Sequence, residues 1–142
     1  MINKALYSTG NIEHETPDDL FNELDEEFNF NLDTAATAYN TKCYTYYDVY
    51  QDGLNSPWLG NVFCNPPYGR DVGKWVKKAH NEFQKGNADL IVMLLPSRTD
   101  TKWFHDYIYN QTEIRFVKGR LKFKGTNNSA PFPSMIVIWK RK

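Results

Sequence analysis

"ADLIVMLLP", residues 88–96, carries a single charge, at Asp89, and ends in proline. An apolar run without polar alternation suits a strand buried on both faces, the usual state of a central strand in a parallel sheet. Pro96 removes a ladder donor and closes the run. Helical patterns flank it. Upstream, "DVGKWVKKAHNEF" (71–83) sets Val72, Trp75, Val76, Ala79 and Phe83 on one face. Downstream, "TDTKWFHDYIYN" (99–110) is a second amphipathic helix.

Further out, "WLGNVFC" (58–64) reads as a short strand. "FNFNLDTAA" (28–36) alternates Phe28, Phe30 and Leu32 with Asn29 and Asn31, a period-two strand signal. "ETPDDLFNELDEEF" (15–28) is a helix that Thr16 can cap. Pro17 suits its first position, and Asp18 and Asp19 suit the positive end of its dipole. Residues 37–57 are polar and Tyr-rich, with an Asp52-Gly53 turn, and stay unassigned. "EIRFVKG" (113–119) and "SMIVIWK" (134–140) are strands with no helix between them. Strands alternating with helices predict an α/β fold, a mostly parallel sheet with helices on both faces. The last two strands are expected to form an antiparallel edge pair. Residues 1–142 are expected to form a single domain.

In open sheets of this kind ligands sit beyond the carboxyl ends of the strands. Asp33 and the turn Asn65-Pro66-Pro67-Tyr68 fall there. The two prolines make that turn rigid and leave its carbonyls few local partners. The exocyclic amine of a ring such as adenine is a poor nucleophile, because its lone pair is delocalised. Hydrogen bonds from its two N–H groups to the Asn65 side-chain oxygen and the Pro66 carbonyl would draw the nitrogen toward a tetrahedral shape. Tyr68 can stack on the ring. Preorganised acceptors of this kind accelerate reactions. A base inside a duplex would have to flip out to reach them.

The 142-residue chain has 17 Lys and Arg and 17 Asp and Glu, so its formal net charge is zero. Residues 1–60 hold 2 basic and 11 acidic side chains, while residues 98–142 hold 10 and 3. The basic last third suggests a face for a polyanion, or else a solvated hairpin. No apolar run approaches the roughly 20 residues that span a bilayer, and "MINKALYSTGNIEHE" lacks a signal-like core, so no membrane is expected. Cys43 and Cys64 stand far apart, and His14, His80 and His105 lack metal spacing and read as structural or exposed. A cytosolic, reduced protein without a metal site follows. The sequence sets no oligomeric state.

"NPPYG" behind a hydrophobic strand resembles the motif of S-adenosylmethionine-dependent amino methyltransferases. Together with "ETPDDLF", "FNLDTAA", "GNVFCNPPYG", "LLPSRTDTKWF", "GRLKF" and "APFPS", it makes residues 15–134 similar to the phage-type DNA N-6-adenine methyltransferases of the Dam group. The resemblance implies a Rossmann-like methyltransferase fold without a separate target-recognition domain. It implies S-adenosylmethionine as cofactor, DNA as partner, and the cytoplasm of a bacterial host as location. Asn65, Pro66, Pro67 and Tyr68 would then be catalytic. Thr16, Pro17, Asp33, Ala35 and Ala36 would hold the cofactor together with Asn65, and either Asp48 or Asp52 would supply a second acidic grip. The common Gly-x-Gly of the cofactor turn is absent. Arg98, Arg120, Lys122, Phe123 and Lys124 would face DNA. Methylation of protein glutamine or RNA is the alternative substrate reading. An inactive nucleic-acid-binding module is the alternative of another class.

Overall fold

Residues 88–96 form the central strand that their composition predicts. The computed structural model describes residues 14–141, and residues 1–13, including most of the stretch read for a signal, lie outside it. The strands are β1 (Leu32–Asp33), β2 (Thr45–Tyr46), β3 (Gly60–Cys64), β4 (Ala88–Pro96), β5 (Glu113–Phe116) and β6 (Ser134–Lys140). The helices are α1 (Asp18–Phe28), α2 (Val72–Gln84) and α3 (Lys102–Tyr107). One sheet runs in the order β2-β1-β3-β4-β6-β5. The pairs β2–β1, β1–β3 and β3–β4 are parallel; β6 is antiparallel to both β4 and β5.

Alternate residues of β4 serve two cores. Ile91, Met93 and Leu95 pack with Trp75, Val76 and Ala79 of α2 and Phe104 of α3. Val92 and Leu94 pack on the other face with Phe21 and Leu24 of α1 and with Ile136 and Ile138 of β6. That two-sided burial is why the run shows no alternation. Each large side chain here excludes water from both neighbours, so truncating Leu94 to Ala should cost roughly 2–5 kcal/mol. Glu82, buried on α2, accepts the Trp58 N–H at 2.7 Å and holds the approach to β3.

Several expectations need correction. The alternation of Phe28, Phe30 and Leu32 is not a strand. Phe28 ends α1, Asn29 takes the left-handed conformation as its C-cap, and only Leu32–Asp33 pair. Phe28, Phe30, Phe21 and Phe63 form an aromatic cluster under the helix, so tertiary packing sets those spacings. Thr16 does not cap α1. Pro17 holds the cap position, without a side-chain hydrogen bond. The helix read over 99–110 shortens to α3, capped by Thr101, whose side chain accepts the Phe104 N–H. β6 is an interior strand, so of the antiparallel pair only β5 lies at the edge. The unassigned segment supplies β2, the opposite edge, and β1 joins β2 without a helix.

Candidate active site

Register brings the two predicted ligand positions together. β1 and β3 are parallel neighbours with Asp33 opposite Phe63, and the Thr34 N–H donates to the Phe63 carbonyl at 3.2 Å. Side chains two apart on a strand share a face. Asp33, Phe63 and Asn65 therefore converge on the α1 side, beyond the carboxyl ends of their strands. With Glu15, Thr16, Ala35, Asn40 and Lys42 they line one cleft.

Asp33 is buried and anchored by backbone. Its Oδ2 accepts the Lys42 N–H at 3.0 Å, and its Oδ1 accepts the Ala35 N–H at 3.4 Å. Burial raises its pKa from the ordinary 3.8 to about 6, against the pull of those two N–H groups. The Lys42 ammonium does not neutralise it directly, because it pairs with Asp18 at 2.9 Å and Glu15 at 3.8 Å. A buried carboxylate held by N–H groups alone suits a cationic or hydroxyl-bearing ligand group. Ala35 and Ala36 are both buried; Ala35 lines the cleft, and Ala36 donates to the Tyr47 carbonyl at 3.0 Å.

Asn65 is also buried. Its Nδ2 donates to Thr16 Oγ1 at 3.0 Å and to the His14 carbonyl. Those two donations fix the amide orientation and turn Oδ1 away from them. Oδ1 is buried and accepts no hydrogen bond among the described residues. An orphaned buried acceptor is rare in folded proteins and asks for a donor. No described N–H donates to the Pro66 carbonyl either. Pro66 and Pro67 are buried. The Tyr68 hydroxyl donates to the Leu94 carbonyl at 3.1 Å, which ties its ring to the end of β4. Burial raises the Tyr68 pKa well above the usual phenol value, so it stays protonated.

The other predicted residues scatter. Asp48 lies two residues past β2, where its Oδ1 accepts the N–H groups of Tyr50 and Gln51. Asp52, at φ 56°, accepts from the Asn55 amide at 2.6 Å. Neither lines the cleft. Pro17 precedes α1 and is not among the residues that line the cleft. Arg98, Arg120 and Lys122 are exposed. Phe123 is not on that exposed rim. It is buried, with ring centroids 6.0 Å from Tyr68 and 5.2 Å from His14. The Lys124 ammonium lies 3.1 Å from Asp18 and 3.6 Å from Glu15, and the Lys124 backbone N–H donates to the Glu15 carbonyl at 2.9 Å.

Sequence reasoning missed Glu15, Asn40, Lys42 and His14. Lys42 and Lys124 clamp the segment before α1 against the cleft. No local pattern announces contacts between residues so far apart in the chain. Among the described residues no His, Cys, Asp or Glu cluster could hold a metal, and no helix is long and apolar enough to cross a membrane.

The profile of the DNA N-6-adenine-methyltransferase (Dam) family matches residues 9–142. A DNA N-6-adenine-methyltransferase of Haemophilus phage HP1 (strain HP1c1) is 33% identical over 144 aligned residues, covering 89% of this chain and 78% of that protein. One of Escherichia phage T1 is 36% identical over 95 residues, covering 65% of this chain and 38% of that protein.

Proposed function

The chain belongs to the DNA N-6-adenine-methyltransferase (Dam) family, and from that premise we propose that it methylates the exocyclic amine of adenine in DNA with S-adenosylmethionine as donor. The observation that carries this reading is the buried Oδ1 of Asn65, which accepts no hydrogen bond among the described residues. The strand order, with one antiparallel strand inserted next to the edge, supports a Rossmann-like methyltransferase domain.

The cleft residues fit the cofactor. Asp33 would accept from its amino group or a ribose hydroxyl, and the small Ala35 admits it close to the backbone. Asp48, at the carboxyl end of β2, is the better placed of the two candidate second acids. Thr16 would lie against the methionine end. When bound, the cofactor supplies an electrophilic methyl group on a sulfonium.

The remaining work falls to the chain. Asn65 Oδ1 and the Pro66 carbonyl accept the two amine N–H groups and localise the nitrogen lone pair. Tyr68 stacks on the base and fixes its plane, and Pro67 stiffens the turn. Both acceptors are in place before the reaction, so little reorganisation opposes it. The base must leave the duplex to reach them. Transfer in line gives N6-methyladenine, the neutral thioether and one proton, which passes to solvent.

The test is labelled methyl transfer to unmethylated DNA, RNA and protein in parallel, followed by nucleoside analysis. N6-methyldeoxyadenosine is the expected product. Label confined to RNA or protein, or cofactor binding without any transfer, would overturn the reading.

A further inference from the structure

The geometry points to His14 as a placeholder in the base pocket: its imidazole holds the stacking position on Tyr68 until a flipped adenine displaces it. This inference rests on the reading of the Asn65–Tyr68 turn given above.

Among the described residues, three aromatic rings lie against His14. Its centroid lies 4.8 Å from Tyr68, 5.2 Å from Phe123 and 5.7 Å from Phe132. Phe123 and Phe132 meet Tyr68 edge-on, at 78° and 74°. The imidazole, at 35°, is the ring nearest to parallel with Tyr68 among the described residues. Stacked aromatic pairs have centroids in this distance range. Imidazole and adenine are both flat nitrogen heterocycles, and both cannot stand on that side of Tyr68 at once.

The backbone makes the exchange possible. Asn65 holds the His14 carbonyl, and it holds Thr16 Oγ1 two residues on. Rotation of the His14 side chain leaves both contacts intact, so Asn65 keeps its orientation while the ring leaves. Oδ1 of Asn65 accepts nothing from the described residues while the imidazole fills the cage. An adenine amine would satisfy it, which gives the base an advantage that the imidazole lacks. A void among three aromatic rings would forfeit their dispersion contacts. Histidine fills it and is polar enough to be released into water. The occupied cage lowers the apparent DNA affinity by the fraction of molecules already open. A base without a suitably placed amine gains nothing to offset that.

Proton NMR of the wild-type protein tests the exchange. The chain has three histidines, and His14→Gln assigns the His14 ring signals. Those signals should lie upfield, shifted by the surrounding rings. A saturating duplex bearing the sequence that the protein itself methylates, added with S-adenosylhomocysteine, should move them to the position of an exposed histidine. The same duplex with an abasic site at the target should leave them upfield. Signals that stay upfield in the adenine complex, in a preparation that methylates that duplex, overturn the placeholder and leave the methylation reading standing. A preparation that methylates no DNA overturns both.

Discussion

Asn65 grips Thr16 with one end of its amide and leaves the other end unsatisfied: Nδ2 donates to Thr16 Oγ1 at 3.0 Å, and the buried Oδ1 accepts nothing among the described residues. An unmet buried acceptor costs on the order of 1–3 kcal/mol. In the mechanism proposed above, the substrate amine recovers that energy.

Thr16→Val keeps the shape of the side chain and removes the oxygen that orients Asn65. The His14 carbonyl remains as a second anchor. A net hydrogen bond is worth about 1 kcal/mol, or about fivefold in rate. Turnover under saturating cofactor and DNA should fall by about that factor, with a smaller change in cofactor affinity. Unchanged turnover would show that the amide needs no help from Thr16.

Asp33 should make cofactor binding depend on pH. Its folded pKa of about 6 lies above the ordinary 3.8. Its contribution to stability is therefore full below 3.8 and lost as pH rises through about 6, a difference of roughly 3 kcal/mol. A bound cation favours the carboxylate and reverses that loss. Binding near pH 6 should release a fraction of a proton, and affinity should rise from pH 5 to pH 7. Titration calorimetry in buffers of different ionisation enthalpy measures the release. Asp33→Ala should abolish it and weaken binding by roughly 1.5–3 kcal/mol. Equal release by the variant would assign the proton to another group.

What was legible in the sequence follows from how local the signal is. The unbroken apolar run of β4 and the one-sided pattern of α2 encode their own burial, and the sheet follows from them. Asn-Pro-Pro-Tyr was readable because proline acts on its own backbone, whatever the rest of the chain does. Phe28 and Phe30 misled because helix end, left-handed cap and aromatic cluster happen to reproduce a period of two. Thr16 read as a cap because a cap and an Asn65 anchor require the same hydroxyl. The clamp of Lys42 and Lys124 on Glu15 and Asp18 was not readable, since charges close in space leave no mark on spacing. Phe123 read as one of the residues facing DNA, and only the fold shows its ring buried beside Tyr68.

The DNA surface should include the exposed Arg120 and Lys122, which precede the buried Phe123 of the aromatic cage. If each neutralises one phosphate, replacing both with Ala should flatten the log–log salt dependence of duplex binding by about 2. Lys124→Ala should leave that slope alone, because Asp18 and Glu15 already neutralise its ammonium. Fluorescence anisotropy across a salt series reads both. A double variant with the wild-type slope would move the DNA surface away from the β5–β6 connection.

Single-turnover methyl transfer by Asn65→Ala, set beside its cofactor affinity, tests most directly whether the orphaned oxygen is the amine's acceptor. The variant should bind S-adenosylmethionine within a few-fold of wild type and lose on the order of 100-fold or more in the transfer rate to DNA adenine. A variant that binds cofactor normally and methylates adenine at close to the wild-type rate would contradict the account.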